Sequence, residues 1–193
     1  MNEITVGVHD GWTSYRSRFV GNTSTSAGSP LSLLVNNYIM YYEKNIRSGK
    51  IAIPSGAMAN TVGTQFPEKV EAYYKKDLSL DLAKTANQAA IDLFNGKSVK
   101  SGKEGPSLKT YLNGLRAKDS KTGNNLSNII NAQFEVANSK LAAMGPDLSE
   151  QVRTDNQKML DTFEAMQSVV RMLKVDMTSA MSITITYVDT DGD

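Results

Sequence analysis

The sequence has no cysteine and a single histidine, His9. The first absence excludes disulfides and thiolate chemistry and is compatible with any compartment. The second excludes a multi-histidine metal site within these residues, and it leaves any Ser/His/Asp triad dependent on His9 alone. No stretch approaches the ~18–20 apolar residues that cross a bilayer. Residues 1–10 lack the basic segment followed by an apolar one that marks a secretory signal. An excess of one charge is missing too: 21 Lys+Arg stand against 20 Asp+Glu, a formal net charge of +1. Nucleic-acid binders carry clustered basic surplus, whereas the basic runs here, Lys75-Lys76 and 97–103, are short and broken by Ser and Gly. Nucleic acid is discounted as a partner.

What is present suits a globular core. The chain is 40% hydrophobic and 21% charged over 193 residues, the size of one ordinary domain spanning 1–193. The strongest pattern lies at 155–181, where Met159, Phe163, Met166, Val170, Leu173, Met177 and Ala180 recur at steps of four and three. That heptad stripe predicts one amphipathic helix about 40 Å long, capped by Thr154 or Asp155. A second helix is predicted at 126–144, with Leu126, Ile130, Phe134, Ala137, Leu141 and Met144 on one side and Gly145-Pro146 as its stop. A third starts at Ser29-Pro30, a cap followed by Pro at the first helical position. It turns Leu31, Leu34, Val35, Tyr38, Tyr42 and Ile46 inward and stops at Gly49. A fourth runs from Ser79 to Gly96 with Leu82, Ala86, Ala89 and Leu93 inward.

Near the N-terminus Ile4, Val6 and Val8 alternate like a strand, but over a longer window Ile4, Val8, Trp12, Tyr15 and Phe19 fit a helix ending at Gly21, which is the preferred reading. Gly7 and Gly11 each weaken it by about 1 kcal/mol. Ile183, Ile185 and Tyr187 alternate with Thr, as a short strand or extended segment would. Residues 49–67 and 97–106 read as long irregular loops. The fold class expected is all-α: an antiparallel bundle of four to five main helices, with long loops and a short extended C-terminal segment.

Candidate chemistry is sparse. His9 and Asp10 are neighbours of the kind that bind metal or relay protons, although adjacent residues point apart on a helix. Asp189, Asp191 and Asp193 alternate as hard-cation ligands do. Gly192 falls between the second and third Asp, so an EF-hand order is excluded. The aromatic and charged run Tyr38, Tyr41, Tyr42, Glu43, with Tyr73-Tyr74, suits core packing with hydroxyls at the rim better than a ligand pocket. The amides that open a short helix at Leu108, after Gly105-Pro106-Ser107, offer a generic anion site.

The order of segments is more specific. Trp12-x-x-Tyr15-Arg16-x-x-Phe19 is followed by Tyr41-Tyr42-Glu43-Lys44-x-x-Arg47-x-Gly49-Lys50-x-x-Ile53-Pro54-x-Gly56. Then come Val70-Glu71-Ala72-Tyr73-Tyr74, Phe94-Asn95-Gly96 and Gly105-x-Ser107-Leu108. Leu173-Lys174-Val175-Asp176-Met177 and Tyr187-Val188-Asp189-x-Asp191-Gly192-Asp193 complete the set. Taken together the chain resembles the C-terminal portion of an imelysin-like protein. The resemblance implies two helical-bundle halves, export to the bacterial cell envelope at the periplasm or outer membrane, and a link to iron uptake. It also implies an assigned metallopeptidase activity served by a divalent metal (iron, zinc or calcium) in the full-length protein. The family's Gly-x-His-x-x-Glu motif is not completed here: Gly7 and His9 are followed by Trp12 where Glu belongs, so the motif transfers no ligand.

Three functions are therefore expected. The first is a non-enzymatic module of an imelysin-like envelope protein, meeting an N-terminal half or other envelope proteins through Trp12, Tyr15, Tyr41, Tyr42 and Glu43. The second is a metallopeptidase whose site spans both halves, with His9, Asp10 or Glu43 contributing. The third is a cation-stabilised adhesion or scaffold domain.

Overall fold

Ser29 opens the first long rod as its sequence predicts, its Oγ accepting the Ser32 amide at 3.3 Å while Pro30 occupies the first helical position. The computed structural model describes residues 2–58 and 63–188. In chain order the helices are α1 (Asn2–Gly21), α2 (Pro30–Met40), a π-helical segment π1 (Tyr41–Ala52), α3 (Ile53–Ser55), α4 (Ser79–Asn95) and α5 (Leu108–Gly114). They continue with α6 (Leu126–Ala142), α7 (Leu148–Thr154), α8 (Asn156–Arg171), a second π-helical segment π2 (Met172–Met177) and α9 (Thr178–Met181). The fold is all-α, and no strand occurs among the described residues.

Cross-links between rods fix the topology. Tyr38 Oη donates to the Ala90 carbonyl and Tyr42 Oη to Asn87 Oδ1, each at 3.0 Å, so the α2–π1 rod and α4 run antiparallel. Asn87 with Asn138 at 2.7 Å and Asn95 with Asn131 set α6 antiparallel to α4. Gln133 to the Ala165 carbonyl and Lys140 to Asp161 reverse α8 against α6. Arg47 to Gln167 closes the ring between α8 and the first rod. The result is an up-down-up-down four-helix bundle. Its interior holds Ile39, Tyr42 and Ile46, then Phe94, Phe134 and Leu141, and the stripe Met159, Met166, Val170, Leu173 and Met177. Phe134 sits between Tyr42 and Phe94, with ring centroids 5.5 and 5.8 Å away.

Three expectations need correction. Gly49 does not end the first rod. It lies inside π1, where burial of Ile46, Ile51 and Ala52 on either side outweighs the ~1 kcal/mol a helical glycine costs. The rod stops at Gly56, whose φ of +73° is left-handed and whose Cβ, if present, would lie 2.2 Å from the Thr64 carbonyl oxygen. Leu34 is on the outer side of α2. In α4 the inward residues are Leu80, Ala83, Asn87, Ala90, Ile91 and Phe94, while Leu82, Ala89 and Leu93 face outward. Ile183–Tyr187 is extended without strand pairing, the second of the two forms expected for it. The heptad helix of 155–181 is present as α8, π2 and α9, and the short α7 before it was not anticipated.

α1 forms over the predicted span, but nearly all of it is in solvent. Ile4 and Val8 are 72% and 69% exposed, and of its described side chains only Phe19 is even partly buried.

Candidate functional site

The densest polar constellation in the interior lies where π1 and π2 pass each other. A π turn is wider than an α turn, so Glu43 and Arg47 share the inward side with Tyr42 and Ile46. Glu43 is fully buried and Arg47 is 1% exposed. From the other rod, Lys174 Nζ reaches Glu43 Oε1 at 3.1 Å, and Arg47 Nη2 lies 3.8 Å from the same oxygen. Tyr187 donates its phenol to Glu43 Oε2 at 2.5 Å. Arg47 also donates to Gln167 Oε1 and to Ser48 Oγ, and its guanidinium stands 5.6 Å from the Phe163 ring centre. A buried carboxylate persists only when opposite charge and hydrogen bonds replace its lost hydration. Here a lysine, an arginine and a phenol supply them.

The phenol comes from the C-terminal segment. Beyond α9 the backbone turns at Ser182, in the left-handed region at φ 55°, and runs back along the first rod. Asn36 grips it with both ends of its amide: Nδ2 donates to the Thr184 carbonyl at 3.1 Å, and Oδ1 accepts the Thr186 amide at 2.8 Å. The side chain thus takes the place of a neighbouring strand, which explains why the alternating Ile-Thr-Ile-Thr pattern is extended without a sheet. Ile183 is buried beneath it. Lys44 Nζ donates to the Val188 carbonyl at 3.0 Å, and the Lys44 and Lys174 ammonium groups each stand 5.7 Å from the Tyr187 ring centre. The constellation is a latch for residues 183–188. Beside it, burial pushes the Tyr38 and Tyr42 hydroxyls far above the usual phenol range, so both act as neutral hydrogen-bond donors.

The residues singled out from sequence fall in separate places. His9 and Asp10 touch each other at 3.2 Å on exposed α1. Asp189, Asp191 and Asp193 lie outside the described residues. No group of three or more His, Cys, Asp or Glu side chains arranged to hold a metal occurs among the described residues. Trp12 and Tyr15 are half-exposed and form a cluster with Phe19, with Trp12 to Phe19 centroids 5.2 Å apart. Tyr41 is half-exposed at a shallow polar pocket of about 270 Å³ next to Asn45 and the Lys50–Glu71 ion pair. Tyr42 and Glu43 are interior and present no docking surface, since both lie on the same inward side as Ile39 and Ile46. Tyr73 binds Arg153, 3.1 Å from its hydroxyl, and Tyr74 is in solvent. The opening of α5 is capped by its own Ser107 and Thr110, which reduces what it can offer an anion.

Asn36 and Gln167 are latch residues that sequence reasoning did not select, and Arg47 and Lys174 stood only among the segments of the resemblance, with no role assigned. The available signal was polar residues at core-facing positions: Asn36 follows Val35, and Lys174 follows Leu173. No family model, no curated protein and no solved structure matches this chain.

Proposed function

We propose that this chain is a non-enzymatic helical module of an imelysin-like cell-envelope protein linked to iron uptake, and that it works by packing α1 against a companion helical half. The observation that carries the reading is α1 itself. A 20-residue helix with Ile4, Val8, Trp12, Tyr15 and Phe19 along its length makes almost no use of them in the bundle. Apolar and aromatic side chains left in water on one helix are what an interface requires. The ordered segments from Trp12-x-x-Tyr15 to Tyr187-Val188-Asp189 support the family. The buried latch supports a binding rather than a catalytic role, since its carboxylate is spent on holding the chain's own tail.

Trp12 is the only tryptophan, so its fluorescence reports on α1 alone. Titrating the companion half, expressed separately from the same gene, should shift its emission to the blue and protect it from aqueous quenchers. Trp12→Ala should weaken the association by about 2 kcal/mol. An emission spectrum that does not move, with no complex formed, would sink the proposal.

A further inference from the structure

α4 buries one side and carries a mixed outer side, on which apolar Ala89 and Leu93 stand among Lys84, Thr85, Gln88 and Asp92. Leu80, Ala83, Ile91 and Phe94 face the core, yet Ala89 and Leu93 line an open groove of about 710 Å³ between α4 and α6. Leu93 is 48% exposed there, and an apolar groove rimmed by charge is the form an interaction surface takes. The α4 wall of this groove is Lys84, Thr85, Gln88, Ala89, Asp92 and Leu93; Ala142 lies opposite on α6, and Val99, almost fully in solvent, stands at the rim.

We propose that a second copy of this chain fills the groove with its own α4, antiparallel, in a two-fold dimer. The wall residues come in adjacent pairs four apart, 84/85, 88/89 and 92/93. That arrangement is unchanged by reversal about the point between Gln88 and Ala89, which is what a two-fold contact requires of a single patch. Antiparallel docking about that point lays Thr85 beside Asp92 of the second copy and Lys84 against Leu93, with the Lys84 ammonium within reach of Asp92. Each such opposite-charge pair occurs twice. Parallel docking would set Lys84 on Lys84 and Asp92 on Asp92, so charge selects the antiparallel orientation. Small Ala89 next to the axis permits the close helix approach of about 8–10 Å that such packing needs. Within one copy Asp92 accepts a hydrogen bond from Gln88 at 2.8 Å and lies 3.9 Å from Lys97, which leaves lone pairs for a cross-copy donor. One helix pair buries less than the ~1,200 Å² at which stable specific interfaces begin, so the dimer is reversible and dissociates on dilution. It is independent of the role proposed for α1.

Sedimentation equilibrium of the whole chain over a wide concentration range tests this, with circular dichroism confirming that each variant folds. The wild-type chain should show a monomer–dimer equilibrium. Lys84→Asp and Asp92→Lys should each weaken it about tenfold, and the combination should restore it. Residues 84 and 92 are about 12 Å apart along one helix, so restoration cannot arise within a copy. Because the chain has no cysteine, Gln88→Cys should also form a disulfide-linked dimer on mild oxidation, while Leu33→Cys, exposed on α2, should not. A monomer at ~1 mM, a dimer indifferent to both charge changes, or equal cross-linking at the two cysteines would overturn the inference. So would a dimer abolished by Trp12→Ala, or a monomer whose groove takes an apolar dye that Ala89→Trp displaces.

Discussion

Glu43 decides whether the C-terminal segment stays docked, because its two carboxylate oxygens gather Lys174, Arg47 and Tyr187 from three parts of the chain. Removing it leaves two cations in the interior without their counter-ion, which is costlier than never having buried the pair. Glu43→Ala is therefore expected to destabilise the fold by about 3–5 kcal/mol in urea unfolding. Asn36→Ala should behave differently. It removes only the amide grip on Thr184 and Thr186, so the loss of about 1–2 kcal/mol is local. Hydrogen exchange at the Thr186 amide should speed up while amides in the bundle interior keep their protection. If Glu43→Ala leaves the urea midpoint where it was, the latch contributes nothing to stability.

At the scale of elements, helix ends carry the specific energetics. Gly56 ends the first rod at φ +73°, and a Cβ there meets the Thr64 backbone. Gly56→Ala should cost at least ~1–2 kcal/mol, whereas Gly49→Ala, inside π1 without a left-handed φ and with its Cβ 3.3 Å from the Lys44 carbonyl oxygen, should cost less; thermal melts of the two variants would check the order. α7 begins at Asp147, which accepts Ser149 Oγ at 2.6 Å and the Ser149 and Glu150 amides at 2.9 and 3.3 Å. Burial works to raise that carboxyl, but these hydrogen bonds and nearby Lys76 hold it below its ordinary value. A carboxylate whose folded pKa is depressed gives stability that is complete above about pH 4 and is lost as pH falls through the folded value. α7 should accordingly fray first on acidification, seen as early loss of its amide protection. Asp147→Asn, a cap of similar strength without the charge, should remove that pH dependence. The same scale shows what the sequence makes legible. The 155–181 stripe is plain because seven apolar residues keep one period, and Ser29-Pro30 is plain because its capping is local. The inward side of α4 is not, since buried Asn87 interrupts it and is explained only by Tyr42 and Asn138 from other helices. The latch is hidden for a like reason: Glu43 and Lys174 are 131 positions apart, and nothing local to either says that the other will neutralise it.

For the whole molecule the division is between a bundle that satisfies itself and an arm that does not. The residues of the hydrophobic core begin at Val35, with Leu31 packed against them, and none comes from α1. Hydrophobic stabilisation follows area withdrawn from water, and α1 withdraws little, so its contribution to folding is close to nil. Deleting residues 2–21 should leave the melting temperature of the bundle within about 2 °C, because at this chain length even 1 kcal/mol moves it only about 2–4 °C. The same deletion should remove association with a companion half while leaving the α4-mediated dimer in place, which separates the two surfaces in one protein. Differential scanning calorimetry alongside sedimentation would measure both. A fall of about 10 °C or more on deletion would mean that α1 packs on the bundle in solution, and its aromatic face would then be core rather than interface.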